Sequence, residues 1–408
     1  MKAFILAAGE GTRMRPLTAN IPKPLLPVAG KPFLMHTLES LRENKIDDVT
    51  ILIGWRGRRV REYLGDGSRV GLNIGYEEQE RRLGTAHAVG LARKHVGDTF
   101  LCINGDVVLT PNSIKGFLSF WKKKKGTTVA LAEVADSSNL GVVEVEDDVI
   151  KSIEEKPKWP KSNLINAGMY LFEKNIFKLI EKTPKSKRGE YEITDTLQML
   201  MEKEDVHGHV LAEEWIDVGR PWDLLKANRI LLKNISGENN GEVQKDVVIE
   251  KNVHIGEGTV VKNGSNIIGP TIIGKNCEIG PNCLIRPSTY IGEGCKVGSA
   301  SEVKNSIVMD NSQVPHHNYV GDSVIGERCN LGSGTKIANL RLDEKNIMVS
   351  FKGQKIDTGL RKLGAIIGDD VKTGINSSID VGTIIGENSF IGPGAVARGV
   401  IAPNSKIF

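Results

Sequence analysis

IGEGTV (255–260), VKNGSN (261–266), IIGPTI (267–272), IGKNCE (273–278), IGPNCL (279–284), IRPSTY (285–290) and IGEGCK (291–296) follow one another without a gap, and each opens on an aliphatic residue. The series extends both ways, with Ile249 before it and Val297, Val303 and Met309 after it, so eleven apolar residues recur six apart. Such a period matches neither the 3.6-residue face of a helix nor the two-residue alternation of a strand. It predicts a coil whose sides each hold a short strand and a turn, with one apolar side chain pointing inward per side. Three sides make an 18-residue turn, so Cys277 and Cys295 stack and read as small packing residues. The period breaks over 313–322, resumes at Ile325, Leu331 and Ile337, and returns at Ile367, Ile379, Ile385 and Ile391, with Thr373 its one polar member. Residues 341–362 form a basic, non-repeating insertion.

Upstream the grammar differs. Ala3–Ala8 is a short, wholly apolar run, as expected of a strand covered on both faces. A helical stripe over 33–45, strands over 49–54 and 99–103, and a helix over 85–95 alternate after it. Alternation of this kind predicts an open, mostly parallel α/β sheet with ligands at the carboxyl ends of its strands. A polar, Gly/Asn-rich stretch from Lys233 to Gly241 separates the two grammars. The expected division is an α/β domain over 1–232, a linker over 233–245 and a β-helix over 246–408.

The 408 residues carry 54 basic and 50 acidic side chains, a small net charge that gives no case for nucleic acid as a partner. The run Lys122–Lys125 reads as a solvated helix end. Five cysteines at 102, 277, 283, 295 and 329 suit neither zinc nor a disulfide framework, which points to a reduced, cytoplasmic setting. No stretch approaches the about 20 apolar residues needed to cross a bilayer, and the run Met1–Gly9 is too short for a signal peptide.

Directly after the first strand comes Leu6-Ala7-Ala8-Gly9-Glu10-Gly11-Thr12-Arg13, with Pro22-Lys23-Pro24-Leu25 beyond it. Small residues let backbone N–H groups approach phosphate oxygens, and Arg13 and Lys23 can neutralise charge at an attacked phosphorus. The loop is neither Walker A nor a dinucleotide fingerprint. Over residues 1–232 the string resembles the signature of sugar-phosphate nucleotidylyltransferases. The resemblance implies that Leu6, Ala7, Ala8, Gly9, Gly11 and Thr12 wrap a nucleoside triphosphate, that Arg13 stabilises the transition state and that Lys23 binds phosphate. It makes Gln79, Gly84 and Thr85 readers of a pyrimidine base, with Asn104 and Gly105 also at the nucleotide. Asp106 and Asp217 become the metal ligands, and two carboxylates plus substrate phosphates suit Mg²⁺. Gly141, Glu155, Lys156 and Asn166 match the family's sugar-phosphate contacts. The reaction implied is attack by a sugar 1-phosphate on the α-phosphorus of UTP or dTTP, releasing pyrophosphate; His87 reads as a packed residue.

The repeat resembles the hexapeptide, left-handed parallel β-helix, a fold that commonly forms trimers, so a homotrimer or a multiple of three is expected. Within it Arg286, Lys304, His316-x-x-Tyr319-x-Gly321-Asp322, Asn330 and Asn339 occur in order. A neutral imidazole suits proton removal from an amine near pH 7. This pattern is similar to that of the bifunctional glucosamine-1-phosphate acetyltransferase / N-acetylglucosamine-1-phosphate uridylyltransferase family, in its archaeal form. The likeness makes His316 the general base, with Arg286, Lys304, Tyr319, Asn330 and Lys345 holding an amino-sugar phosphate. Asn339 then meets the amine or acetyl group and Arg398 meets acetyl-CoA. It implies the synthesis of UDP-N-acetylglucosamine, with glucosamine or galactosamine 1-phosphate as acetyl acceptor. Leu340 and Ile375 depart from the bacterial pattern, which has tyrosine and serine there. The rival reading is a monofunctional glucose- or mannose-1-phosphate nucleotidylyltransferase whose β-helix serves assembly or regulation.

Overall fold

The computed structural model describes every residue except Asn139 and Lys352, the latter within the 341–362 insertion. The chain divides into two compact units. The first comprises Met1–Glu10, Pro22–Leu25 and Phe33–Asp217, and the second Gly11–Ile21, Leu26–Pro32 and Val218–Phe408.

The first unit is built on a nine-stranded sheet of β1 (Lys2–Leu6), β2 (Asp48–Ile53), β3 (Asn73–Glu78), β4 (Thr99–Asn104), β5 (Thr128–Glu133), β6 (Gly141–Glu146), β7 (Val149–Glu155), β8 (Leu164–Glu173) and β9 (His207–Val210), in the order β3-β2-β1-β4-β8-β5-β9-β7-β6. The strands β3-β2-β1-β4 are mutually parallel, as expected. The rest is mixed, which corrects the expectation of a mostly parallel sheet: β8 runs antiparallel to β4 and β5, and β7 antiparallel to β9 and β6. A tight turn forces the last of these pairings, because Asp147 and Asp148 both take positive φ (51° and 65°) and return β6 onto β7 as a hairpin. Side chains alternate across the parallel block. Ile5, Ile51 and Ile103 enter one core, and Phe4, Leu52 and Cys102 the other, so β1 is apolar throughout because both of its faces are covered. The helix Pro111–Lys124 ends on exposed lysines 122–124, a placement that complements its C-terminal dipole.

The second unit contains a parallel β-helix whose coils pair in register on three faces. One inward column is Ile255, Ile273, Ile291, Val308, Ile325, Ile367 and Ile385; a second is Ile267, Ile285, Val303, Val320, Ile337 and Ile379; a third is Val261, Ile279, Val297, Val314, Leu331 and Ile391. Nearly all of these side chains are fully buried, each contributing roughly 1.5–3 kcal/mol of transfer free energy. Two expectations are corrected here. The inward residue after Val303 is Val308, not Met309, and the segment 313–322 keeps the phase through Val314 and Val320. The apparent break comes from two five-residue steps, Val303 to Val308 and Val320 to Ile325, which shorten the coil from 18 residues to 17, as in the pairings Ile273 with Ile291 and Ile291 with Val308. The true interruption is 340–364, which leaves the coil and carries an antiparallel hairpin of Met348–Phe351 and Gln354–Asp357. The polar stretch expected as a linker already contributes strand pairs, Glu238–Asn239 with His254–Ile255 and Glu242–Val243 with Val260–Val261.

A second inward position lies two residues before each aliphatic one and holds a small donor. Along one corner the hydroxyl of Thr259, the thiols of Cys277 and Cys295, the hydroxyl of Ser312 and the thiol of Cys329 donate to backbone carbonyls of Gly274, Gly292, Met309, Gly326 and Gly368, at 2.7–3.1 Å. Stacked cysteines are therefore interchangeable with serine or threonine here. Their burial pushes each thiol up, Cys329 to about 12, so they carry no thiolate chemistry.

Candidate functional sites

In the first unit the carboxyl end of β1 meets the turn after β4. Gly105 donates its N–H to the Leu6 carbonyl at 2.9 Å, and a Cβ at Gly105 would lie 2.8 Å from that oxygen and 3.0 Å from Ala7. Only glycine lets Asp106 sit this close to β1. Lys23 Nζ stands 2.7 Å from Asp106 Oδ2, with the lysine head 12% exposed and the carboxylate 35% exposed. Asp217 pairs backbone to backbone with Val107, the neighbour of Asp106. Lys23, Asp106 and Asp217, placed far apart in the chain, thus share one locality.

Gln79 is buried, and its side-chain amide donates to Nδ1 of His87 at 3.2 Å. Burial lowers the His87 pKa, which keeps that nitrogen free to accept and makes the histidine a brace for Gln79. Gly84 takes φ +117°, and a side chain there would collide with the Tyr191 backbone. Thr85 Oγ1 next to it accepts the N–H of Ile193 at 2.9 Å. A second group forms where β6, β7 and β8 meet: a Cβ at Gly141 would lie 3.3 Å from Glu155 Oε2 and 3.5 Å from Asn166. Asn166 donates to Tyr170 Oη at 2.7 Å, and Lys156 Nζ lies 3.8 Å from Glu155. Burial pushes the Glu155 carboxyl up, opposed by Lys156 and Arg188. Arg188, 3.5 Å from Glu155 and 2.6 Å from Glu192, is a cation of this group that sequence reading missed, for no periodicity or motif marks it.

Gly11 and Arg13 belong to the second unit. Gly11, in the left-handed region (φ 65°), opens the single 3-10 turn Thr12–Met14, and the Arg13 side chain is exposed. The Arg220 guanidinium is lowered in pKa by burial first and by the Arg13 charge second, so two cations lie within electrostatic reach of one another, as suits an anionic ligand. Arg220 was also missed, although it stands only three residues after Asp217.

On the β-helix the predicted residues gather around a carboxylate. Asp322, 4% exposed, accepts from Lys304 Nζ at 3.0 Å, Asn305 Nδ2 at 2.7 Å and Asn339 Nδ2 at 2.5 Å, and Asn339 also donates to Tyr319 Oη at 3.2 Å. A Cβ at Gly321 would strike both Asn339 and Tyr319, so glycine is what lets them meet. Arg286 lies one coil before Lys304 on the same face, bonded at 2.9 Å to Glu302, whose register partner is Tyr319. His316 is exposed at the turn entering this face, and its carbonyl accepts the Gly334 N–H at 2.9 Å. Asn330 lies on the adjoining face, between Gln313 and Lys372.

Two predicted residues are not brought to this cluster within one chain. Lys345 is exposed on the loop before the hairpin, its N–H on Asp343. Arg398 is exposed four coils beyond Lys304, about 19 Å along the axis at one strand spacing per coil. Beside Asp322 and Asn305 opens a cavity of about 630 Å³, also lined by Lys226, Arg229, Arg361 and Lys362. Its cationic lining suits a phosphate-bearing ligand. Lys362 was missed because it ends the non-repeating insertion 341–362, where no period or motif marks it.

The chain matches the nucleotidyl transferase family over residues 2–234, the GMPPB C-terminal domain over 267–374 and the hexapeptide repeat of succinyl-transferase over 364–400. It is 44% identical to the bifunctional protein GlmU of Methanocaldococcus jannaschii, over 100% of this chain and 97% of that protein. It is 39% identical to the bifunctional sugar-1-phosphate nucleotidylyltransferase/acetyltransferase of Sulfurisphaera tokodaii, over 98% and 97% respectively. Among solved structures, a Bacillus anthracis chain assigned as a glucose-1-phosphate thymidylyltransferase is similar at 33% identity and a TM-score of 0.54, over 58% of this chain and 97% of that one. Among the described residues no helix is long and apolar enough to cross a membrane. Both halves of the repertoire, sheet and coil, are thus matched in one chain, which belongs to the bifunctional sugar-1-phosphate nucleotidylyltransferase/acetyltransferase family.

Proposed function

We propose that the chain acetylates glucosamine 1-phosphate with acetyl-CoA on its β-helix and joins a uridylyl group from UTP to N-acetylglucosamine 1-phosphate in its α/β half, yielding UDP-N-acetylglucosamine. Galactosamine 1-phosphate and dTTP are the alternative acceptor and donor. The observation that carries the first activity is the Lys23–Asp106 pair at 2.7 Å beside the strand of Asp217. The residues serve a phosphoryl-type transfer in which a sugar-phosphate oxygen attacks the α-phosphorus and pyrophosphate departs. Lys23 and Arg13 neutralise the charge that spreads over the non-bridging oxygens, and Glu155, Lys156 and Asn166 orient the sugar phosphate. The donor set fits Mg²⁺: the strand pairing of Asp217 with Val107 sets Asp217 beside Asp106, and two carboxylates are what this ion takes alongside substrate oxygens and water. When bound at Asp106 and Asp217 it would supply a Lewis acid for the phosphate oxygens.

The second activity rests on the Asp322-centred cluster and the cationic cavity beside it. His316 takes a proton from the amine, the nitrogen attacks the thioester carbon, and the same imidazole returns a proton to the departing thiolate. Arg286, Lys304, Tyr319 and Asn330 hold the sugar phosphate, with Lys362 in the place first read for Lys345. We read the coil as left-handed, the division as an α/β domain over 1–232 followed by a β-helix whose first strand pairs lie within 233–245, the assembly as a trimer, and the setting as cytoplasmic, in keeping with five buried free cysteines. Arg398 then serves acetyl-CoA across a subunit boundary. The match to the GMPPB C-terminal domain favours a second reading, in which the β-helix only assembles or regulates.

One assay separates them: UTP or dTTP crossed with amino-sugar and N-acetylamino-sugar 1-phosphates, with and without acetyl-CoA, following pyrophosphate and free thiol. Acetyl-CoA-dependent thiol release with glucosamine 1-phosphate is expected, and none from folded protein would favour the second reading. Arg13→Ala and Asp106→Ala should each lower pyrophosphate release by about a hundredfold or more. Near-normal turnover in both would sink the site assignment.

A further inference from the structure

The loop that carries Arg13 is folded against the β-helix. Within the second unit, Asn20 Nδ2 donates to Asp369 Oδ2 at 3.2 Å, although the two are 349 residues apart in sequence. Asp369 is 2% exposed, and its other oxygen accepts the Glu327 N–H at 3.0 Å, so the acceptor is fixed in the coil. A Cβ at the neighbouring Gly368 would lie 2.8 Å from the Glu387 backbone of the next coil and 2.9 Å from Pro16 Cβ, so the loop lies directly on this corner of the coil. Inside the loop, Thr18 is 1% exposed and donates to the Gly11 carbonyl at 2.8 Å, which closes the segment on both sides of Arg13. A second tether follows downstream: Asn228, fully buried, accepts the Ala29 N–H at 2.9 Å and donates to the Ser288 carbonyl of another coil at 2.8 Å. Within the second unit, segment 11–21 is therefore bonded to a coil residue directly and segment 26–32 through Asn228.

We propose that Asp369 and Asn20 are positioning residues for nucleotidyl transfer: the β-helix holds the signature loop in the conformation that presents Arg13 to the triphosphate. The inference rests on the reading of Arg13 given above. Binding of the triphosphate as a whole draws on many groups, whereas charge neutralisation in the transition state needs Arg13 placed to within a fraction of an ångström. Loss of the tether should therefore act on kcat more than on KM.

The test uses the full chain. Asn20→Asp sets two carboxylates against each other at the tether. It should lower kcat for pyrophosphate release by about tenfold or more, since a displacement of order 1 Å at a reacting centre costs up to about a hundredfold. The triphosphate KM and the rate of acetyl transfer should stay close to those of the parent, and the unchanged acetyl transfer reports an intact coil. The double variant Asn20→Asp/Asp369→Asn exchanges amide and acid across the same hydrogen bond and should restore most of kcat. Asn20→Asp with parental kcat, or a double variant no better than the single one, overturns the proposal. Arg13→Ala run alongside keeps the two ideas apart: activity retained there removes the reading of Arg13, whereas an inactive Arg13→Ala with an active Asn20→Asp removes only the tether.

Discussion

Asp322 illustrates how a buried charge is made tolerable. At 4% exposure it would be costly alone, yet three side-chain donors, one of them the Lys304 ammonium, satisfy it. Removing the charge leaves Lys304, itself 18% exposed, without its counter-ion. Asp322→Asn should therefore displace Lys304 and Asn339 and slow acetyl transfer by about tenfold or more, given the few kcal/mol that breaking such a pair costs. Pyrophosphate release should be unchanged, and thiol and pyrophosphate assays on one preparation check both; an equal fall in the two would mean general unfolding instead. At this scale the signature residues were legible because chemistry confines them to short strings. Arg13, Lys23 and Asp106 each stand in a motif with a glycine or proline that shapes its backbone. Arg188 and Lys362 stand in none; their partners come from distant strands and coils, and only folding brings them to Glu155 and Asp322.

Among the elements, the coil was readable from its period, and the cysteines from their 18-residue offset. The two five-residue steps were not, because Val308 and Met309 are adjacent and both apolar, and composition does not say which one points inward. Corner geometry supplies the sharper constraint. Gly264 and Gly394 occupy the same corner of the coil, with φ +70° and +66°. A Cβ at Gly264 would overlap the Asn282 amide oxygen of the next coil, whereas a Cβ at Gly394 meets no heavy atom within 4 Å. Gly394→Ala should cost only the left-handed backbone penalty, about 1–2 kcal/mol. Gly264→Ala should cost more by the price of displacing Asn282, so its thermal midpoint should fall below that of Gly394→Ala in the same buffer. Equal midpoints would show that the Gly–Asn stack contributes nothing beyond backbone strain.

For the whole molecule, the alternation of strands and helices and the later hexads announced two architectures, but not that residues 11–21 and 26–32 are compact with the second. Hydrogen bonds such as Asn20 to Asp369 carry no sequence trace, since any small polar pair could make them. Two activities on one chain also raise the question of whether product passes between their sites through solvent. The Lys23–Asp106 pair belongs to one compact unit and the Asp322 cluster to the other, and each has its own set of charged partners. Nothing in either set requires the other to be active. A preparation of Asp106→Ala, expected to lack nucleotidyl transfer, mixed with one of His316→Ala, expected to lack acetyl transfer, should therefore convert glucosamine 1-phosphate, acetyl-CoA and UTP to UDP-N-acetylglucosamine. After a lag in which N-acetylglucosamine 1-phosphate accumulates in solution, the rate should approach that of the parent. Adding unlabelled N-acetylglucosamine 1-phosphate should dilute label from the acetyl donor in the final product, for the mixture and the parent alike. Label that resists dilution in the parent but not in the mixture would show instead that the intermediate is handed directly from coil to sheet.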